Sequence, residues 1–352
     1  MRSFLQHIHY LRGLAILFVI GVHARGGVAD WTSHPDTLKY LVTVFDAEEG
    51  NGTIMFLFIG GFLFQYLNRD GFDYRKYLQT KFNYIILPYI IISIPIILFR
   101  IKSNYYQPGL PDDFLDYNML FQFLYYLIIG SHMAPFWFIS AIILYYLTAP
   151  VFHYLDKPFF YKYIFPIILV VGMFTYRPDH NANPFLAYVH LLPVYFMGMF
   201  VSRYHEQFFS VATRLIIPAV LAYFAISFLD VRGLLVPDIT FEQVLTQGVV
   251  VFNFYFLRAM LLCMICVTLF YIYRTRRSPI FELLGHYSFG IYFIHFIIVA
   301  ITRNVMSMMR IDVDFTLMTF LLYFSFVSLL STAGVYLIKR LTGSYSRSLI
   351  GS

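Results

Sequence analysis

Ten stretches of this 352-residue chain are apolar for long enough to cross a bilayer, and nothing else limits its fold as sharply. They fall near 6–26, 53–68, 82–101, 134–154, 160–176, 186–202, 212–229, 248–273, 284–308 and 315–338. A hydrocarbon core about 30 Å thick takes about 20 residues of helix to cross. No water is available there to satisfy open backbone groups, so runs of this length must close their hydrogen bonds within themselves, as helices. Several are interrupted by Pro or Gly, which membrane helices tolerate. The stretch 114–130 is apolar but short, and Asp112, Asp113 and Asp116 frame its start. It reads as a re-entrant or interfacial helix, with an eleventh span as the alternative. No internal repeat, low-complexity tract or linker divides the chain. The expectation is an all-α membrane protein, a single polytopic bundle of about ten transmembrane helices forming one domain over 1–352.

Composition agrees. Hydrophobic residues make up 59% of the chain and charged residues 12%, which excludes an ordinary soluble domain. The 40 Phe and 30 Tyr suit rings that sit at bilayer interfaces. Two cysteines cannot build a disulfide scaffold. Cys263 and Cys266 lie in an apolar run with no His or carboxylate beside them, so packing is the expectation there. No phosphate-binding glycine loop or zinc-type spacing is visible, and His7-Ile-His9 reads as a solvated edge. The first apolar segment has no small-residue cleavage pattern after it, so it is expected to stay as a helix.

The Lys/Arg distribution then orients the bundle. With the N-terminus inside, fifteen Lys and Arg fall in cytoplasmic segments and eight on the opposite side; Arg12 and Arg258 remain within spans, completing the 25. Acids run the other way, the outer loops holding fourteen of the nineteen. An even number of spans with both termini cytoplasmic satisfies this bias at every loop. The net charge of +6 is therefore read as anchoring to a lipid bilayer and not as a nucleic-acid signal.

Within the first span, ten residues separate Arg12 from His23. Eleven steps of about 100° return a helix to nearly the same face, and the two side chains lie roughly 16 Å apart along it. Ionisable residues at that depth are costly and are functional candidates by default. The plain alternative is a snorkelling Arg near one end and an interfacial His near the other.

The same residues resemble the Arg-x10-His signature of the acyltransferase-3 family of integral membrane O-acyltransferases. Three further stretches match in order: Gly52-Thr-Ile-Met-Phe-Leu-Phe-Ile-Gly-Gly-Phe-Leu63, with Gly60 where Ser is usual; Pro135-Phe-Trp-Phe138; and Tyr287-Ser-Phe-Gly-Ile-Tyr-Phe-Ile-His295. The family often carries two or three Arg before the Pro that opens its third helix. Here Lys81-Phe-Asn-Tyr-Ile-Ile-Leu-Pro88 keeps one cation. Among family members, the chain is most similar to those that modify exopolysaccharides in the bacterial inner membrane.

That resemblance implies acyl transfer, with acetyl-CoA or another acyl-CoA as donor and no metal. The donor diphosphate needs cationic partners, the role expected of Arg12 and Lys81, with Tyr10 beside them. His23 is the expected general base on an acceptor hydroxyl, and its own transient acylation is the less favoured variant. A carboxylate commonly orients such a base; Asp46, Glu48 and Glu49 in the next outer loop are candidates, Glu48 foremost. Arg258 either snorkels outward or holds a substrate or a partner carboxylate. His295, Trp137, His190 and Tyr292 are candidate linings of an acceptor site, against ordinary helix packing for each.

The leading expectation is transfer of an acyl group, acetyl foremost, to a polysaccharide or lipid-linked glycan hydroxyl. The chain stops about a dozen residues after its last span, so modification is expected to be direct or to use a separate partner. Polysaccharide-synthesis proteins and a homo-oligomer are the partners considered. The competing class is a transporter or flippase for a glycan or lipid-linked intermediate, which polar residues at depth and broken helices fit equally well. Transporters usually show repeated halves, and no second Arg-x10-His occurs.

Overall fold

A computed structural model describes residues 5–26, 28–31, 33–45, 50–104, 107–235 and 251–351. Among them there is no strand, and each of the ten apolar segments carries helix, 248–250 of the eighth lying outside the described residues. In order these are α1 (Gln6–Ala24), α2 (Pro35–Phe45), α3 (Asn51–Asn68), α4 (Tyr74–Lys81), α5 (Leu87–Lys102), α6 (Met119–Ile129), α7 (Trp137–Leu147), α8 (Ala149–Leu155) and α9 (Phe165–Gly172). Then follow α10 (Pro184–Arg203), α11 (His205–Ala212), α12 (Ile216–Val231), α13 (Phe254–Ile272), α14 (Pro279–Met308), α15 (Leu317–Thr342) and α16 (Ser346–Ile350).

Proline explains most of the irregularities. The helix from Tyr74 to Lys102 widens into a π-turn over Phe82–Ile86 just before Pro88, which has no N–H for a regular turn. A second π-turn, Phe160–Ile164, precedes Pro166 in the same way. Pro150 follows the break between α7 and α8, where the axis bends by 56°. Asparagines close the helix starts in the loops: Asn118, Asn183 and Asn253 each accept backbone N–H groups of the following first turn.

The expected ten spans become six helices long and apolar enough to cross a membrane among the described residues, or eight if each of two bent pairs counts as one span. Two segments account for the difference. Phe160–Gly172 is apolar but too short, and α3 is 18 residues long with Asn at both ends. Alpha-helix α6, at 11 residues, extends only about 16 Å and is too short for an eleventh span.

Burial separates inner helices from outer ones. Of the most apolar window of α1 and of α10, 61% is buried, against 17% in the Leu317–Ile350 segment. The centre is therefore α1, α3, α10 and α14, with α13 packed on α1 and α3. Glycines set two of these crossings. A Cβ on Gly285 would stand 2.5 Å from the His9 carbonyl oxygen, and one on Gly198 2.1 Å from that of Phe58, so backbone lies directly on backbone. Side chains on α5, α12 and α15 that point away from this centre are large and apolar, as a hydrocarbon surround requires.

Candidate active site

Two cavities occupy opposite ends of α1. The larger, about 580 Å³, is walled by α3, α7 and the α4–α5 helix. Its lining is mostly apolar, from Phe56, Ile59, Leu63, Ile139 and Ile142, and it contains both Arg12 and Lys81. Lys76 and Thr80 line it too and are exposed, so it reaches the surface along α4. The Arg12 guanidinium donates to Ser288 Oγ on α14 at 3.1 Å, which fixes its Nη2 on one side. The Lys81 ammonium lies over the rings of Tyr77 and Tyr146, at 5.2 and 5.1 Å from their centroids. Two cations in an apolar cleft favour an anionic group attached to an apolar body.

The smaller cavity, about 170 Å³, contains His23, Thr53, Trp137, Arg177 and Asn181. Ala134 at its edge is exposed. The Arg177 guanidinium stacks 5.1 Å from the Trp137 ring centroid. Phe138 and Tyr292 line both cavities, so these two aromatic side chains form their common wall. Tyr292 is held there by donating its hydroxyl to the Pro135 carbonyl. The shared stripe of α1 thus carries Arg12 into one cavity and His23 into the other.

His23 packs edge-on against Phe296 and tilts against His295, with centroids 5.1 and 5.3 Å away. His295 is fully buried, and its Nδ1 lies 3.1 and 2.8 Å from the carbonyl oxygens of Ile291 and Tyr292. Carbonyls only accept, so Nδ1 carries the hydrogen and Nε2 is left as an acceptor, with no hydrogen-bond partner among the described residues. The structure therefore brings His23, His295, Trp137 and Tyr292 together.

Other candidates are placed elsewhere. Tyr10 does not line the larger cavity: its hydroxyl accepts from the Ser278 N–H at 2.8 Å and faces the turn into α14, which makes it a structural pin. Arg258 lines neither cavity. It is buried and ion-paired with Asp230 of α12, which also accepts from Thr43 Oγ1 at 3.3 Å, so the partner carboxylate is the outcome. His190 lines neither cavity; its Nδ1 hydrogen-bonds with Thr175 Oγ1 at 2.9 Å and its ring packs on Phe256, as core histidines do. Glu48, with Asp46 and Glu49, lies outside the described residues. Cys263 and Cys266 are both free thiols within α13. Sequence reasoning missed Ser288, Thr53, Arg177 and Asn181. Thr53 and Ser288 sat in plain view inside the matching stretches, whereas Arg177 and Asn181 come from a loop with no periodicity to mark them.

A family model described as an acyltransferase domain matches residues 5–340, nearly the whole chain. No curated protein and no solved structure matches it.

Proposed function

The chain belongs to the acyltransferase-3 family, and from that premise we propose that it is a multi-pass membrane O-acyltransferase that moves an acetyl group from acyl-CoA to a glycan hydroxyl. The observation that carries this reading is the pair of cavities meeting at Phe138 and Tyr292, with Arg12 and Lys81 in one and His23 in the other. An elongated donor with an anionic head suits the larger cavity: the two cations meet the diphosphate and the apolar walls take the pantetheine arm. Its thioester then stands at the common wall, roughly 16 Å along α1 from Arg12.

The chemistry follows. His23 accepts the proton of the acceptor hydroxyl as the oxygen attacks the thioester carbonyl carbon. A new C–O bond forms, the C–S bond breaks, and the CoA thiolate recovers the proton from the imidazolium. Arg12 stays at the phosphate end and does not touch the reacting atoms. The fifteen-to-eight division of Lys and Arg supports an N-terminus on the cytoplasmic side of a bacterial inner membrane, where acyl-CoA is available to the Arg12 end. The acceptor then approaches His23 from the far side. The match of residues 5–340 to an acyltransferase domain favours this reading over a transporter.

The test is incubation of the purified protein with radiolabelled acetyl-CoA, with and without oligosaccharide. His23→Asn should lower transfer by about 10²- to 10⁴-fold while acetyl-CoA still binds, because only the proton acceptor is lost. Near-normal turnover in that variant rules out His23 as the base.

A further inference from the structure

Three side chains from three different elements meet the smaller cavity with their hydrogen-bonding atoms uncommitted: His23 of α1, Thr53 of α3, and Asn181 of the loop before α10. Among the described residues Asn181 has no side-chain hydrogen-bond partner, and its Oδ1 is buried. A buried unpartnered acceptor costs about 1–3 kcal/mol, so a folded protein retains one where something else completes it. The backbone adds an independent sign. His180 and Asn181 both hold left-handed φ values, 51° and 54°, a conformation that costs non-glycine residues and gathers at ligand sites. The remaining walls are mostly apolar or aromatic, Pro135, Trp137, Phe138 and Tyr292 among them, with the Arg177 guanidinium stacked on Trp137. A mostly apolar hollow with a few convergent polar groups is the general form of a site for a small, hydroxyl-bearing ligand. At about 170 Å³, it has the space of about six waters, suited to one sugar ring and not to a length of chain.

We propose that Thr53 and Asn181 read the acceptor: they hydrogen-bond the substituents of a single sugar ring on either side of the hydroxyl presented to His23. This rests on the acyltransferase reading above. The ring is bounded by Phe138 and Tyr292, beyond which the donor lies, so the two residues decide which ring enters and which hydroxyl points at the base. Substituents that both donate and accept, a neighbouring hydroxyl or an acetamido group, match the Thr53 hydroxyl and the Asn181 amide. Neither residue takes a proton in the reaction; both act on acceptor binding and orientation.

The test compares acceptor and donor kinetics in the full-length protein, with acetyl-CoA as donor and tetramers of N-acetylglucosamine and of glucose as acceptor probes. Asn181→Gly removes the amide while glycine is at ease at φ 54°, so the backbone is kept. Thr53→Val removes the hydroxyl at nearly constant volume, and Thr53→Ser returns it. Each loss should raise the acceptor KM about tenfold, the effect of one hydrogen bond, with the acetyl-CoA KM unchanged and Thr53→Ser close to the unaltered protein. An unchanged acceptor KM in Asn181→Gly overturns the proposal while the acyltransferase reading stands. An equal rise in both KM values also overturns it, since that reports a general distortion. Transfer by the unaltered protein to neither probe removes the parent reading and this one with it.

Discussion

Arg12 joins α1 to α14 through Ser288 while facing the larger cavity, so a graded pair of substitutions separates its two duties. Arg12→Ala should raise the acetyl-CoA KM about 10- to 100-fold, the effect of one lost charge-assisted hydrogen bond. Arg12→Lys should fall between, since it restores the charge without the planar fork. A KM indifferent to both would remove Arg12 from the donor site. His132, in the loop between α6 and α7, gives a pH effect of known sign. It donates from Nδ1 to the Tyr126 carbonyl at 3.0 Å and accepts at Nε2 from the Ser93 hydroxyl at 2.8 Å. Burial pushes its pKa down from 6.5 to about 4. The unfolded chain therefore takes up a proton that the folded one refuses. Stability present above pH 6.5 is lost as pH falls towards 4, by about 2 kcal/mol at pH 5. Thermal unfolding in detergent at pH 7.5 and pH 5 should show that fall, and His132→Gln should make it shallower. At this scale the sequence pointed to Arg12, His23, Trp137 and His295, because each stands inside a matching stretch. It could not tell that Arg258 pairs with Asp230, since 28 positions separate them and the contact is made only when α12 meets α13.

Helix contacts in this bundle depend on particular glycines, and two neighbours on α3 provide an internal control. A Cβ on Gly61 would stand 2.0 Å from the Tyr195 carbonyl oxygen, whereas one on Gly60 meets nothing closer than the Tyr195 ring at 3.7 Å. Gly61→Ala should force α3 and α10 apart and destabilise the protein by about 1–3 kcal/mol or more. Gly60→Ala should leave its unfolding temperature nearly unchanged. Equal effects would show that the α3–α10 contact is softer than the backbone approach indicates. Hydrophobic length located each helical segment well, but not the π-turns, the bend at Pro150 or the shortness of Phe160–Gly172. Those depend on where carbonyls find donors around a proline, which apolar content does not record.

For the whole molecule the decisive property is sidedness. On the proposed function, cavities at opposite ends of α1 have donor and acceptor arriving from opposite faces. In sealed vesicles of one orientation, acetyl-CoA should support transfer only from the face bearing the Arg12 end, and an oligosaccharide acceptor only from the face bearing His23. Activity with both substrates on one face, or acetyl-CoA working equally from either, would sink the two-sided mechanism. Cysteine labelling at Ser278 and Ala134 positions, one at each end, would identify the faces independently.

The amino-acid sequence by itself determined the medium, the secondary structure and the shared stripe of Arg12 and His23. Apolar runs of about 20 residues leave helices as the available answer in hydrocarbon, and an eleven-residue spacing puts two side chains on one face wherever that helix ends up. These are local properties, set by the chain against its solvent. The tertiary structure alone decided which polar groups meet. It buried Tyr10 against the turn into α14, matched Arg258 to Asp230, and brought Thr53 and Asn181 to the cavity of His23. Such pairings are long-range: they follow from how closely α1, α3, α10 and α14 can approach at their glycines, and no periodicity along the chain carries that distance.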